Sequence, residues 1–367
     1  MKKVIGVFIL VLLVFLGTHN NSKDSEKIVE KNHIPQTYYV ATSGSDENLG
    51  TLEEPFKNIQ KAIDTVKPGG TVLVRQGVYQ AFEITNMQAS VDFPVVIKPY
   101  QTEHVTIDVA LGGGNGVHGI AVIDSSFVTI DGFEIKDSLV EQGNLLSLNA
   151  CNEADLAVIK LPTNQSRGVK VEETKKGEQH NVTFQNLHIH HVARIGVGAY
   201  KGRDNKFLHN RVHDVGAYGW YMYGDNFLIE GNETYNTNGY GMHLWPTFNN
   251  SVVKNNNISH AGKAPCYYHE ASDSVKDNFK DGVIISGEKT IFEHNTVSYN
   301  QGAGIRIVDV RDITVRNSEI LNNEGVGIIE EAGREHVVID NSKIVGNKAG
   351  DVMLSDEAVQ VGNIVGN

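Results

Sequence analysis

The stretch "YGWYMYGDN" (218–226) returns 22 residues later as "YGMHLWPTFN" (240–249). In both copies, a large side chain stands at every second position after the glycine. An alternation with period two is typical of a β-strand, in which alternate side chains point to the same face. The sequence therefore predicts two similar strands whose large outward side chains stand next to one another.

The glycine of this strand recurs along the chain and marks a repeat of about 22 residues. The marker glycines are Gly119, Gly168, Gly196, Gly219, Gly241, Gly282, Gly304 and Gly327, and Asp351 takes the equivalent place at the end. This period predicts a solenoid in which each repeat is one turn and the apolar residue after each glycine points inward. A second set of residues keeps step with the glycines, and we expect it to form an internal ladder of side-chain amides. Its members are Asn186, Asn210, Asn232, Asn257, Asn295, Asn317 and Asn341.

The composition excludes some classes of protein. The chain has 367 residues, a net charge of −12, 37 glycines and 8 prolines. Many glycines and few prolines suit short strands joined by tight turns. The acidic balance argues against nucleic acid as a partner. No spacing of residues resembles a zinc site, a phosphate-binding loop or a dinucleotide fingerprint, so the sequence predicts no cofactor.

The first residues indicate export. In "MKKVIGVFILVLLVFLG" (1–17) two lysines precede an apolar run that is short for a membrane span. We predict a signal peptide over residues 1–17, a disordered polar linker over 18–36 and one folded domain over 37–367. The expected location is secreted, periplasmic or at the cell surface, with no membrane contact beyond the signal segment, and an uncleaved anchor stays an alternative. We expect a monomer.

An open end of a solenoid exposes strand edges and needs a cap. In "EEPFKNIQKAIDTVKPGG" (53–70), Phe56, Ile59, Ile63 and Val66 fall at helical spacing before a Pro-Gly-Gly stop. This pattern predicts an N-terminal capping helix.

"YYVATSGSDENLGTLEEPFKNIQKAIDTVKPGGTVLVRQGVYQ" (38–80) resembles the opening of secreted proteins of the pectate-lyase-like superfamily. This superfamily includes polysaccharide lyases of the alginate lyase and chondroitinase B type. Together with the repeats, the resemblance covers nearly all of residues 37–367. It implies an all-β fold, a single-stranded right-handed parallel β-helix with an N-terminal capping helix. It implies less about activity, because the fold also carries hydrolases, epimerases and adhesins.

Two outward columns of side chains follow from the marker glycines. Two residues past the glycines stand Lys170, Tyr221, His243 and Arg306, and four residues past them stand Glu172, Tyr200, Tyr223 and Trp245. Contiguous exposed aromatic rings mark an interaction site, although aromatic residues also favour strands for packing alone. Flat rings suit the C–H faces of sugars, and charged groups bind hydroxyls and carboxylates. We therefore predict Tyr200, Tyr223, Trp245, Lys201 and Glu172 as substrate-binding residues.

Two insertions interrupt the repeat, at residues 139–167 and 259–281. Both enter just before an outward strand and lie four turns apart, about 19 Å at the spacing of parallel strands. We expect them to form two walls of a groove, since long loops on a rigid scaffold commonly carry function. Each contains one cysteine, and a disulfide between Cys151 and Cys266 is a hypothesis.

This groove suits β-elimination on a uronic-acid polysaccharide. The reaction needs a cation for the carboxylate, a base for the C5 proton and an acid for the leaving oxygen. Tyr221 and His243 are expected to be about 4.8 Å apart in one column, so we predict them as the acid and base pair. Lys170 and Arg306 lie about two turns away on opposite sides and are predicted to bind carboxylates.

Other interpretations stay open. A glycoside hydrolase needs two carboxylates at one bond, a C5-epimerase needs nearly the same acid and base as a lyase, and an adhesion solenoid only binds carbohydrate. "HIHH" (188–191) and His213 are expected in the turn before the outward strand, and neighbouring strand positions face opposite ways, so no metal is predicted there. Calcium lacks a matching pattern of ligands on adjacent turns.

Overall fold

The computed structural model describes residues 36–112, 117–142, 166–263, 280–331 and 335–366. The predicted signal peptide, most of the linker, and both cysteines lie outside these residues. The described helices are α1 (Ile59–Thr65), α2 (Ser138–Gln142) and a 3-10 turn at Val109–Gly112. No helix in these ranges has the length and the apolar composition that a membrane span requires.

All other regular elements of the described residues are strands. The first nine are β1 (Thr37–Val40), β2 (Thr71–Val74), β3 (Gly77–Gln80), β4 (Phe82–Thr85), β5 (Val95–Pro99), β6 (Val105–Asp108), β7 (His118–Ile123), β8 (Val128–Asp131) and β9 (Glu134–Lys136). The next twelve are β10 (Arg167–Glu172), β11 (Thr183–Gln185), β12 (His188–Val192), β13 (Ile195–Tyr200), β14 (Lys206–Leu208), β15 (Arg211–Val215), β16 (Tyr218–Asp225), β17 (Leu228–Glu230), β18 (Glu233–Thr237), β19 (Met242–Asn249), β20 (Val252–Lys254) and β21 (Asn257–Ser259). The last are β22 (Val283–Glu288), β23 (Ile291–Glu293), β24 (Thr296–Ser298), β25 (Ile305–Arg316), β26 (Glu319–Leu321), β27 (Ile328–Glu330), β28 (Glu335–Asp340), β29 (Lys343–Val345), β30 (Val352–Met353), β31 (Val359–Val361) and β32 (Ile364–Gly366).

Each regular turn adds one strand to each of three parallel sheets, which confirms the predicted solenoid. The front sheet contains β4, β7, β10, β13, β16, β19, β22, the first half of β25, β27 and β30. The second sheet contains β1, β2, β5, β8, β11, β14, β17, β20, β23, the second half of β25, β28 and β31. The third sheet contains β3, β6, β9, β12, β15, β18, β21, β24, β26, β29 and β32.

The core fills the space between the three sheets. The residue after each marker glycine is buried, as the repeat predicted: Val169, Val197, Trp220, Met242, Val283, Ile305 and Ile328. The glycine itself is required where the chain turns into the front sheet. A Cβ atom on Gly219 would lie 2.4 Å from the carbonyl oxygen of Gly241 in the next turn. This close approach explains why the marker recurs.

The internal amide ladder exists, but part of its predicted membership was wrong. Asn232 Nδ2 donates to Asn256 Oδ1 (2.9 Å), and Asn210 and Asn295 continue the ladder on either side. The predicted members Asn186, Asn257, Asn317 and Asn341 are exposed instead. Three of them adopt a left-handed backbone conformation one residue before the ladder position, and the fourth stands one residue after it. Leu187, Asn256, Ser318 and Ser342 occupy the corresponding inward positions.

The predicted N-terminal helix is present as α1. Phe56, Ile59, Ile63 and Val66 are all buried, as their helical spacing indicated. The helix packs against β1, β2 and β4 of the first turns. Its function as a cap stays a prediction.

Candidate functional site

The register of the front sheet confirms the first outward column. Tyr221 pairs directly with His243 on the next turn, and Lys170 stands two turns before Tyr221 in the same line. Arg306 stands two turns after His243. The strands pair without a shift at this position from turn to turn, so the column stays aligned although the turns differ in length. The structure thus places the four predicted catalytic side chains on one face.

Five predicted residues form one contiguous cluster of rings, which we call the aromatic patch: Tyr200, Tyr221, Tyr223, His243 and Trp245. The His243 and Trp245 rings stack at 4.7 Å between centroids, and Tyr223 stacks on Trp245 at 5.3 Å. Tyr221 meets His243 edge to face at 5.8 Å. Tyr200 joins the patch through Tyr221 at 5.9 Å. Such distances give a rigid surface of flat rings.

Tyr218 and Tyr240 also belong to this surface and were missed by the sequence analysis. Tyr218 lies 4.9 Å from the Tyr221 ring, and Tyr240 lies 5.2 Å from the His243 ring. Both stand directly before a marker glycine, where the tight corner turns this position outward as well. The signal was available, because both quoted copies begin with Tyr-Gly. Burial raises the pKa of Tyr240 above its ordinary value.

His243 is a neutral imidazole at neutral pH. Burial among the surrounding rings lowers the pKa of His243 from 6.5 to about 4. Its Nδ1 atom is buried, and no described residue forms a hydrogen bond with it. The Nε1 atom of Trp245 is also buried, and no described residue forms a hydrogen bond with it. An unsatisfied buried polar atom costs about 1–3 kcal/mol, so both atoms are candidates for a contact with water or with a ligand.

The hydroxyls of Tyr221 and Tyr223 lie 2.9 Å apart and share a hydrogen bond. Either oxygen can act as the donor. Tyr221 is therefore oriented by its neighbour, and a phenol stands beside the imidazole of His243. The two side chains stand on adjacent turns, as the sequence predicted.

Cations gather at the N-terminal end of the patch. Lys170 forms an ion pair with Glu172 (Nζ to Oε2, 2.5 Å). The Arg167 guanidinium lies 5.8 Å from the Tyr200 ring, within the range of a cation–π contact. The Arg167 Nε atom is buried without a partner among the described residues. Burial, together with Arg167 and Lys170, lowers the pKa of His118 to about 3.

Carboxylates gather at the C-terminal end, where they contact Arg306. Its Nε atom lies 2.6 Å from Asp281 Oδ2, and its Nη1 atom lies 2.5 Å from Glu331 Oε1. A substrate carboxylate would have to displace one of these two partners to reach the guanidinium. The role of Arg306 in binding substrate carboxylates therefore stays a prediction. Burial raises the pKa of Asp281, despite the opposing effect of Arg306.

The remaining predictions concern Lys201 and the two insertions. Lys201 is exposed in a left-handed turn at the end of β13, beside Tyr200. The two insertions do enter between a third-sheet strand and a front-sheet strand, as expected. Most of each insertion, and the hypothesis of a disulfide between Cys151 and Cys266, lie outside the described residues.

The histidines of "HIHH" were wrongly expected in a turn. His188 and His190 lie on β12 of the third sheet, and His213 lies on the adjacent β15. His188 and His190 are two positions apart on β12 and therefore share its outward face. Glu134 of β9 pairs with His188 and lies on the same face. We call Glu134, His188, His190 and His213 the histidine cluster. It is a second group of chemistry-bearing side chains outside the front sheet.

The three parallel sheets and the stacked turns define a parallel β-helix protein. Residues 38–244 match the family model described as Pel9A-like, right-handed β-helix region, and residues 224–365 match a right-handed β-helix region. The first match spans more than half of the chain. The chain therefore belongs to the Pel9A-like right-handed β-helix family, as the resemblance to pectate-lyase-like proteins predicted.

Individual relatives agree with this family. The uncharacterized protein YwoF of Bacillus subtilis strain 168 is 25% identical over 364 residues, which cover 93% of this chain and 67% of YwoF. The structure of the GH136 lacto-N-biosidase from Eubacterium ramulus superposes with a TM-score of 0.62 at 14% identity, covering 92% of this chain and 69% of that one. Pectate lyase Pel9A superposes with a TM-score of 0.59 at 16% identity, covering 90% and 80%. The similarity to these two structures shows the fold of this chain.

Proposed function

We propose that this protein is a carbohydrate-active enzyme that cleaves an acidic, uronic-acid-containing polysaccharide by β-elimination. One observation carries the proposal: a neutral His243 and a hydrogen-bonded Tyr221 lie side by side in an aromatic patch with unsatisfied polar atoms. The pectate lyase Pel9A and the lacto-N-biosidase act on carbohydrates by name, which supports a carbohydrate substrate. Neither resemblance specifies the reaction.

In this proposal the rings bind the sugar faces. Tyr223 and Trp245 stack on each other at 12° between ring planes, and Tyr200 extends the surface. Sugar rings present C–H groups to the parts of the aromatic rings that this stacking leaves uncovered, and hydroxyls at their edges. The Trp245 Nε1 atom donates to a substrate hydroxyl and satisfies its own hydrogen-bonding capacity.

The chemistry then follows from the protonation states. His243 is neutral above pH about 4, so one ring nitrogen accepts the C5 proton of the uronate. The bond between C4 and the leaving oxygen breaks as the C4–C5 double bond forms. Tyr221 donates its phenolic proton to that oxygen, and Tyr223 supports it through the shared hydrogen bond. No water is added to the product.

The substrate carboxylate binds toward the cationic end of the patch. We assign this contact to Arg167 and Lys170, because Arg306 is held by Asp281 and Glu331. Lys170 already contacts Glu172, so the substrate carboxylate competes with that side chain. Glu172 is then released to accept hydrogen bonds from sugar hydroxyls. Lys201 adds a further exposed positive charge at this end.

A glycoside hydrolase is the second candidate, favoured by the Asp281 and Glu331 pair. Asp281 is buried with a raised pKa, as a general acid requires, while the Glu331 side chain is 39% exposed. Glycoside hydrolysis commonly uses two carboxyl groups that lie in different environments. This candidate ranks below the lyase because both carboxylates are occupied by Arg306.

The location follows from the proposed substrate. We propose that residues 1–17 direct export and that the domain over residues 37–367 works outside the cytoplasm as a monomer. Determination of the N-terminal sequence of the exported protein tests the cleavage, and light scattering tests the monomer.

The test is incubation of the purified chain with alginate, polygalacturonate, glucuronan and glycosaminoglycans, with and without a chelator. A rise in ultraviolet absorbance reports the unsaturated product of β-elimination, and we expect it to persist with the chelator. New reducing ends without that absorbance indicate hydrolysis through Asp281 and Glu331. A change in uronate configuration without cleavage indicates epimerisation. Binding without any of these changes indicates a non-catalytic solenoid and contradicts the proposal.

A further inference from the structure

The histidine cluster has no part in the proposed reaction. Glu134 on β9 pairs with His188 on β12, and His190 on β12 pairs with His213 on β15. Three successive turns of the third sheet thus contribute to one group. A separate sheet carries the aromatic patch. The function of these four side chains has to be argued from their own geometry.

The ligand atoms of the cluster converge. Those of Glu134, His188 and His190 all lie within 4.8 Å of one another. The Nε2 atoms of His188 and His213 are 2.7 Å apart, and His190 Nε2 is 3.1 Å from Glu134 Oε1. In tetrahedral zinc sites, with bonds of about 2.0–2.1 Å, two nitrogen ligands lie about 3.3 Å apart. The ligand atoms of Glu134, His188 and His190 are therefore close enough to form one ligand set, and His213 stands beside this set through its contact with His188.

The hydrogen bonds behind the cluster orient its imidazoles. His213 Nδ1 lies 2.7 Å from Asp214 Oδ2. Because a carboxylate only accepts, Nδ1 of His213 carries a proton, and Nε2 of His213 faces Nε2 of His188. Hydrogen-bonded partners of this kind fix the orientation of a metal-binding imidazole. The rings of His190 and His213 are parallel within 5°, which fixes their directions further.

Glu134 is also held in place. Its carboxylate accepts a hydrogen bond from Thr106 Oγ1 and contacts His104 Nε2 at 3.1 Å. Glu141 offers an alternative carboxylate to His190. However, Glu141 is paired with Lys136 at 2.7 Å, and this cation competes with a metal. Glu134 is the better ligand of the two.

We propose that the histidine cluster binds one divalent transition metal ion, zinc by preference, through Glu134, His188 and His190, while His213 stands beside His188 and orients it. Two imidazoles and one carboxylate suit zinc and its neighbours, whereas calcium and magnesium prefer oxygen ligands alone. The fourth position of a tetrahedral site is left for a water molecule. The ion joins β9 to β12 and so stabilises two adjacent turns of the third sheet.

The test is calorimetric titration of zinc into the full chain, stripped with a chelator and carrying no histidine tag. We expect one zinc ion per chain, a higher melting temperature with zinc, and a cobalt derivative with the visible spectrum of a tetrahedral site. His190→Gln and Glu134→Gln are expected to weaken zinc binding at least about tenfold. The control His294→Asn removes an exposed histidine elsewhere, at a left-handed position that asparagine tolerates, and should bind as the wild type does.

Several results would overturn the assignment. A wild-type chain that binds no stoichiometric zinc, or a His190→Gln variant that binds it equally well, contradicts the site. Loss of binding in Glu141→Gln with retention in Glu134→Gln contradicts the choice of carboxylate. Chemical modification of histidines in the wild type, mapped by mass spectrometry, is independent of how the variants fold. Zinc should protect His188 and His190, and equal modification with and without zinc would refute the proposal.

Discussion

The aromatic patch and the histidine cluster are built in the same way and differ in where their polar atoms go. Both place rings from adjacent turns of a parallel sheet about 5 Å apart, as in the Tyr223–Trp245 stack (5.3 Å) and the His190–His213 stack (5.2 Å). In the patch, buried Nδ1 and Nε1 atoms have no partner among the described residues. In the cluster, the ring nitrogens contact one another or a carboxylate.

The comparison indicates that ring stacking determines the distance between neighbouring side chains, whereas the polar partners of the rings determine what kind of ligand each region suits. Unsatisfied polar atoms beside flat rings suit a ligand that brings its own hydroxyls and carboxylates. Nitrogen and oxygen atoms that converge on each other suit a small cation. One repeated strand geometry thus underlies both the proposed carbohydrate site on the front sheet and the proposed metal site on the third sheet.

Replacement of the proposed base should have the largest effect. His243→Gln keeps a polar side chain of similar size but cannot accept the C5 proton as an imidazole does. We expect kcat to fall by about 100-fold or more, while the affinity for the polysaccharide changes little. Steady-state kinetics with an acidic polysaccharide and binding by calorimetry measure both quantities. Comparable kcat values for His243→Gln and for the His294→Asn control would remove His243 from the mechanism.

Loss of a patch ring should affect binding more than chemistry. Trp245→Ala removes the ring that stacks on both Tyr223 and His243. We expect about a tenfold weaker affinity for the polysaccharide, which corresponds to about 1.4 kcal/mol. The matched control is Tyr299→Asn, which removes an exposed ring outside the patch. If both variants bind equally, the patch is not the binding surface.

A chelator should separate the two regions. Removal of metal is expected to lower the melting temperature of the wild type by a few degrees, because the ion joins turns of the third sheet. It should leave kcat unchanged, since the proposed acid and base act without a metal. Parallel melting curves and turnover assays check this. Loss of turnover on chelation, restored by calcium, would instead indicate a metal-assisted reaction in the front groove.

The smallest expected effect is on the pH dependence of stability. The pKa of His243 is about 4 in the folded protein and 6.5 as its ordinary value. A lowered pKa in the folded state means that the unfolded chain binds the proton first, so stability is lost as the pH falls from about 6.5 to about 4. His243→Gln should flatten this part of the stability curve, as followed by denaturant unfolding at several pH values. An unchanged slope of stability against pH would mean that the His243 imidazole is not buried in its neutral form.

The sequence predicted the fold and the front-sheet columns because each depends on a period. Every turn repeats the same steric demand: a glycine at the corner, such as Gly219, and a buried residue after it, such as Trp220. An outward position such as Tyr221 follows at a fixed distance along the strand. Counting from the glycine was therefore sufficient to place Tyr221 next to His243.

Contacts that depend on the shape of a corner or on pairing between distant turns were not predictable. Tyr218 and Tyr240 stand before the glycine, where simple alternation along the strand fails. Asp281 lies at the end of an insertion, and only the register reveals that Arg306 reaches both it and Glu331. Four ladder positions were misplaced by one residue, because an asparagine stands next to the inward position: Asn186, Asn317 and Asn341 at the left-handed residue before it, and Asn257 at the residue after it. His188, His190 and His213 were predicted to lie in a turn because the boundary between turn and strand was placed wrongly.

The most direct test of the central claim is mass spectrometry of the products formed in oxygen-labelled water. Cleavage by β-elimination with His243 as the base predicts unsaturated fragments that carry no label, and none of these fragments from His243→Gln. Labelled, saturated fragments would show that water enters the bond and would move the chemistry to Asp281 and Glu331. Intact polysaccharide that is bound but not cleaved would contradict the account of the front sheet as a catalytic surface.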